Sequence, residues 1–226
     1  MAAREQNGYP YRLLALVIGL VLNALGNALS VSANFGSGIW TAACVNIANW
    51  LHGDVGLILF IVGVGSATLN LFLIRHWDGW RWLGEVVFIA SFSYFIDLFV
   101  ALFKHWGVPD LATPWRILLS ILGVTIFAIS ISIYQRANIV MHPNDDTSNI
   151  LRFRYLHGRA TLSQFVDFVP PIIMLIICVL GTHRLYSVNV ATIYSMLCNG
   201  VIIAWTDEHI LPSLHHNFRI KNHSAA

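Results

Sequence analysis

Carboxylates inside otherwise apolar segments are the residues of this chain best suited to chemistry. A charge in hydrocarbon costs roughly 3 kcal/mol or more and is retained where it meets a partner, an ion or a solute. Asp97 lies about a dozen residues into a long apolar run, and Asp167 stands one turn before Pro170-Pro171. Asp145 and Asp146 fall in the only long polar passage between two hydrophobic halves, Ala137 to Gly158, followed by Arg152 and Arg154. Asn23, Gly26, Asn27 and Ser30 recur on one helical face, which suits either tight helix packing or the wall of a wet cavity. A buried Asp97 could exchange a proton during a solute cycle or simply accept a hydrogen bond from Asn23 or Asn27. For Asp167 the dipole of a helix start is a sufficient alternative, and Glu85 and Glu208 read as interfacial. Thr41 and Asp145-Asp146 stand where short helices should begin. Capping, worth about 1 kcal/mol, explains them as well as ligand contact does.

Other chemistries lack their residues. No G-x-S-x-G elbow, P-loop or H-E-x-x-H occurs, and Cys44, Cys178 and Cys198 have neither disulfide framework nor metal-ligand spacing. No enzyme activity, metal or cofactor is expected. The 13 basic and 11 acidic residues lie mostly in loops and ends and form no broad basic face, which excludes nucleic acid.

The elements that must position these groups are membrane helices. Of 226 residues 57% are hydrophobic and only 11% charged, against roughly 25% in a soluble domain. Six apolar runs are long enough to span: 13–31, 55–74, 83–103, 115–134, 162–180 and 188–211. The last is lined by Asn189, Thr192, Ser195, Asn199 and Thr206. Arg12, the apolar run after it and Val31-Ser32-Ala33 resemble a signal peptide, but five further spans favour an uncleaved first helix. Gly36 and Gly38 end the first span, and a short helix at 38–51, with Trp40 and Thr41 near its start, follows. A second short helix is expected at 144–157. Both are too short to cross and read as re-entrant or interfacial.

The passages that hold them, Ala33 to Gly53 and Ala137 to Gly158, both begin Ala-Asn and end Leu-His-Gly. This indicates an internal duplication: residues 13–103 as first repeat and 115–211 as second, between an N-terminus (1–12) and a polar tail (212–226). With six crossings and both termini on one side, Lys and Arg divide 10 against 3 in favour of that side. Eight crossings divide them 7 against 4 and strand Arg152 and Arg154 in the bilayer. Three spans per half makes the repeats inverted, an arrangement that recurs in secondary transporters. Asp97 and Asp207 do not align at the offset of the Leu-His-Gly ends, so their symmetry is weak.

Gly36-Ser37-Gly38-Ile39-Trp40-Thr41 and Pro143-Asn144-Asp145 resemble the YczE/YyaS/YitT group of bacterial integral membrane proteins, whose pattern is close to G-x-G-P-W-D after the first helix. Ile39 and Thr41 depart from it, whereas Pro143 and Asp145 keep it. The resemblance implies a bacterial cytoplasmic-membrane protein with no settled biochemical activity; the charge division puts both termini on the cytoplasmic side.

The fold expected is an all-α membrane protein, six spans as a 3+3 inverted repeat with a short helix after the first span of each half. The function expected is a secondary-transporter-like permease for a small solute, with proton or cation coupling. Asn23, Asn27, Gly36, Gly38, Trp40, Thr41, Asp97, Pro143, Asp145 and Asp146 would form its site. A non-transporting scaffold or assembly factor and a substrate-binding subunit of a larger transport complex are the alternatives. The bilayer is the expected partner, and homo-oligomerisation is left open.

Overall fold

The computed structural model describes residues 7–53 and 55–217. Arg4, Arg219 and Lys221, which entered the charge division, lie outside them. Among the described residues all regular structure is helical: α1 (Tyr9–Ala33), α2 (Ile39–Leu51), α3 (Val55–Ile74), α4 (Gly79–His105), α5 (Thr113–Ala137), α6 (Pro143–Ile150), α7 (Ala160–Asp167), α8 (Val169–Thr182) and α9 (Val190–His209). Helices α1, α3, α4, α5, α7 with α8, and α9 are long and apolar enough to cross a membrane. The chain is a multi-helix membrane protein. Large side chains such as Phe60, Phe72, Leu98 and Leu180 lie exposed, as a lipid-facing surface requires.

Glycine fixes the centre of the bundle. Helices α1 and α5 pack along one another, and a methyl on Gly26 would come within 2.6 Å of the Gly123 carbonyl oxygen, one on Gly123 within 2.5 Å of that of Gly26. Backbones this close need residues without a Cβ, the usual device where lipid offers helices no hydrophobic drive to associate.

Thirteen residues give α2 a length of about 20 Å, well short of the roughly 30 Å hydrocarbon layer. The second short helix differs from expectation: α6 ends at Ile150, and Leu151–Tyr155 continue as a π-helical turn. The fifth span is interrupted at Phe168, just before the Pro170-Pro171 pair that cannot continue an α-helical ladder. Ala-Asn closes both α1 and α5 with a left-handed asparagine, Asn34 (φ 57) and Asn138 (φ 46); Leu-His-Gly closes both short helical passages with a left-handed histidine, His52 (φ 53) and His157 (φ 52).

Polar side chains lock each short helix to the half of the chain it does not come from. Asn46 of α2 donates to the Tyr186 carbonyl at 2.7 Å and accepts from the Tyr186 amide at 2.9 Å, and Thr192 donates to the Ser37 carbonyl at 2.7 Å. In α6, Asp146 accepts two bonds from Arg81 at 2.5 and 2.6 Å, Thr147 donates to Asn70 at 2.7 Å, and Asn70 donates to the Pro143 carbonyl at 2.9 Å and to Glu85 at 3.0 Å. Away from these, Asp207 of α9 meets Arg152 at 2.7 Å, His216 at 3.2 Å and Arg136 at 3.6 Å. After α9 the described residues to Asn217 are docked: Asn217 is buried and donates to the Arg136 carbonyl at 2.9 Å.

Candidate functional site

Between α2 and α6 lies a cavity of about 410 Å³, within the usual range for small-molecule sites. Its wall includes Asn23 and Asn27 of α1, Gly38, Trp40 and Thr41 at the start of α2, Asp97 of α4, and Asp145 of α6. These are seven of the ten residues the sequence singles out. The other three build the frame. Gly36 (φ 104) packs against Thr192, the Pro143 carbonyl accepts from Asn70 and Thr147, and Asp146 pairs with Arg81.

Successive residues on a helix point about 100° apart, and this separates the two aspartates. Asp146 turns to the guanidinium of Arg81, while Asp145 turns to the cavity and accepts a hydrogen bond from the Tyr134 hydroxyl. Neither caps α6 with its side chain. The start of α6 is capped by His142, whose Nδ1 accepts from the Asn144 amide at 3.4 Å; the start of α2 has no side-chain cap, so Thr41 is not one. Burial lowers His142 to about 4, leaving its imidazole neutral near pH 7. Burial raises Asp145 to about 7; the Tyr134 hydrogen bond opposes that rise and the charge of Asp146 adds to it.

A polar chain runs along α1 into this group. Asn27 donates to Asn23 at 3.1 Å, and Asn23 donates to Ser130 at 2.9 Å and to the Tyr134 hydroxyl at 3.2 Å. The amide face of α1 therefore serves both of its readings, packing on α5 and cavity wall. Asp97 does not bond Asn23 or Asn27 in any hydrogen bond among the described residues; it lines the cavity with its side chain exposed.

Four further polar residues on the wall are more deeply buried than Asp97. Trp40 donates from its indole nitrogen to Asp167 Oδ2 at 2.9 Å, and the second oxygen, Oδ1, has no hydrogen-bond partner among the described residues. The same holds for Asn144 Oδ1, Asn199 Oδ1 and Ser195 Oγ. Their exposures are 3%, 6%, 4% and 1%. A buried polar atom left unpaired costs about 1–3 kcal/mol, so four on one wall mark a surface shaped for something polar. Asp167 ends α7 and stands immediately before Phe168, the N-cap of α8, so the dipole of that helix start acts on it beside the Trp40 hydrogen bond. Ser195 and Asn199 are four apart on one face of α9, a spacing visible in the sequence; Asn144 carries no such signal.

No Lys or Arg lines this cavity. A second, more open depression of about 720 Å³ is lined by Arg152, Arg159, Asp207, Glu208 and His216, but there Asp207 is already engaged by Arg152 and His216.

The model of a family of unknown function, DUF6198, matches residues 10–208, which include every residue lining the central cavity. The chain belongs to the DUF6198 family. No curated protein and no solved structure matches it. The DUF6198 match does not conflict with the YczE/YyaS/YitT resemblance, which remains a resemblance.

Proposed function

We propose that this DUF6198 protein is a small permease of the secondary-transporter kind, built as a 3+3 inverted repeat around the central cavity. The observation that carries the reading is the cavity itself, which lies at the starts of two short helices and is lined by residues that hold unpaired buried polar atoms. Short helices that aim their N-termini at a common site between repeats are a recurrent transporter design.

Contacts between α1 and α5 support the repeat. The offset of 104 residues that carries Ala33-Asn34 onto Ala137-Asn138 also carries Gly19 onto Gly123 and Ser30 onto Tyr134. Gly19 packs on Tyr134, and Gly123 packs on Ser30. The same offset carries Asn23 onto Phe127 and Gly26 onto Ser130; Asn23 bonds Ser130, and Gly26 packs on Phe127. Exchanged pairs of this kind are what a twofold axis between the two helices generates. At the level of elements, α1 contacts α4 as α5 contacts α9, and α2 contacts α8 as α6 contacts α3. The short helical passages are re-entrant in this reading, with the cytoplasm on the side of the termini, where the basic residues concentrate.

Uptake of a panel of small solutes into liposomes holding the purified protein tests the proposal. Flux of at least one solute is expected, with loss in Asp145→Asn and reduction in Asp97→Asn. Flux indifferent to both substitutions would remove the cavity from the mechanism. Solute binding without flux would favour a substrate-binding subunit, and neither binding nor flux a scaffold.

A further inference from the structure

Among the described residues, carboxylates are the only charged groups on the cavity wall near pH 7. Asp145 and Asp167 are close enough to interact electrostatically, Asp97 stands exposed in the same wall, and among the described residues no Lys or Arg lies on the wall to offset them, while His142 there is neutral near pH 7. An anionic solute would meet the repulsion of these carboxylates. The described residues contain no cluster of His, Cys, Asp and Glu that could hold a metal ion, and a ligand that carries its own positive charge suits the ionised carboxylates.

The unpaired atoms say more than the charge does. Asp167 Oδ1, Asn144 Oδ1 and Asn199 Oδ1 are hydrogen-bond acceptors, and Ser195 Oγ can accept as well. A ligand that satisfies them must bring hydrogen-bond donors. A primary ammonium has three N–H donors and one positive charge; a quaternary ammonium has the charge and no donor. The rest of the wall is apolar and aromatic, with Trp40, Phe92 and Phe127 among its residues. Rings there can bury an apolar body and favour a nearby cation.

We infer that the cavity binds a protonated primary amine with an apolar body, its ammonium directed to Asp167, Asn144 and Asn199 and its body to the aromatic side of the wall. This names the solute class of the permease proposed above and rests on that reading's cavity, but binding can be tested apart from transport.

The test is calorimetric titration of the purified full-length protein in nanodiscs at pH 8 with four compounds of similar size. They are phenethylammonium, its N-trimethyl derivative, 2-phenylethanol and 3-phenylpropanoate. Phenethylammonium should bind about tenfold or more tightly than each of the others, the ratio expected when charge-assisted hydrogen bonds are present in one ligand only. Asp167→Asn, which keeps an acceptor for Trp40, should weaken the amine about tenfold and leave the alcohol unchanged. Asn199→Ala should weaken it severalfold, an independent check should Asp167→Asn fail to fold. Equal binding of the alcohol, the quaternary cation or the carboxylate would overturn the assignment, as would amine binding indifferent to both substitutions. Liposome flux of phenethylammonium separates the two proposals. Binding without flux leaves the amine site standing and sinks the permease; flux of another solute class, lost in Asp145→Asn, with no amine binding does the reverse.

Discussion

Asp145 and Asp146 are neighbours with opposite tasks. Asp146 is neutralised by Arg81 and helps hold α6 against α3 and α4, whereas Asp145 has only the Tyr134 hydroxyl and the cavity. Burial brings Asp145 to about 7, so near neutral pH it is divided between its two forms. A cation binds the ionised form. Ammonium affinity should therefore fall as pH drops through about 7, with Tyr134, His142, Asp146 and Asp167 setting the electrostatics around that carboxyl. The Tyr134 hydrogen bond stabilises the anion, so Tyr134→Phe should move the midpoint of the pH profile upward. Titrations across a pH series check this, and a midpoint that stays put or moves down would disconnect Tyr134 from the site. The sequence makes the aspartate pair conspicuous, but it cannot divide it, because the face each residue takes depends on where Arg81 packs. Asp167 is underrated for a related reason: its partner Trp40 lies 127 positions away, and a local reading supplies only the helix dipole.

At the level of elements, most of the fold is readable because the signals are strong and local. Apolar runs of spanning length, paired Ala-Asn and Leu-His-Gly boundaries, and glycines or proline ahead of each short helix mark them closely. The break at Phe168 is announced by Pro170-Pro171, whereas the π-helical turn after Ile150 has no such local signal. The crossing of α1 and α5 is the joint on which the rest depends. At Gly26 an added methyl would meet the backbone of Gly123 and Phe127, at 2.6 and 2.7 Å, neither of which can swing aside. Gly26→Val should therefore destabilise the protein by about 1–3 kcal/mol or more, read as a lower thermal unfolding midpoint in detergent. Gly65→Val in α3, where a Cβ would meet nothing within 4 Å, is the control and should stay near the parent. Equal effects at both positions would show that the close approach does not limit packing.

Across the whole molecule, the two halves interlock rather than sit side by side, because each short helix is anchored by polar groups of the other half. Such an arrangement leaves a chamber where the two helix starts meet, and the chamber is lined from both halves. Single cysteines report on access to it. Cys44 is buried with its thiol raised to about 12 by burial, and replacing all three native cysteines with alanine gives a clean background. His52 and His157 are exposed at corresponding ends of the two short helical passages and, in the proposed topology, supply a reference site for each face of the membrane. The most direct measurement of the central proposal is labelling of Thr41→Cys in liposomes by a membrane-impermeant maleimide applied to one side at a time. His52→Cys should react from one side only and His157→Cys from the other. Thr41→Cys should react from both, and phenethylammonium should protect it. Labelling of Thr41→Cys from neither side, or from one side without protection by any solute, would contradict a solute cavity that opens alternately to the two faces.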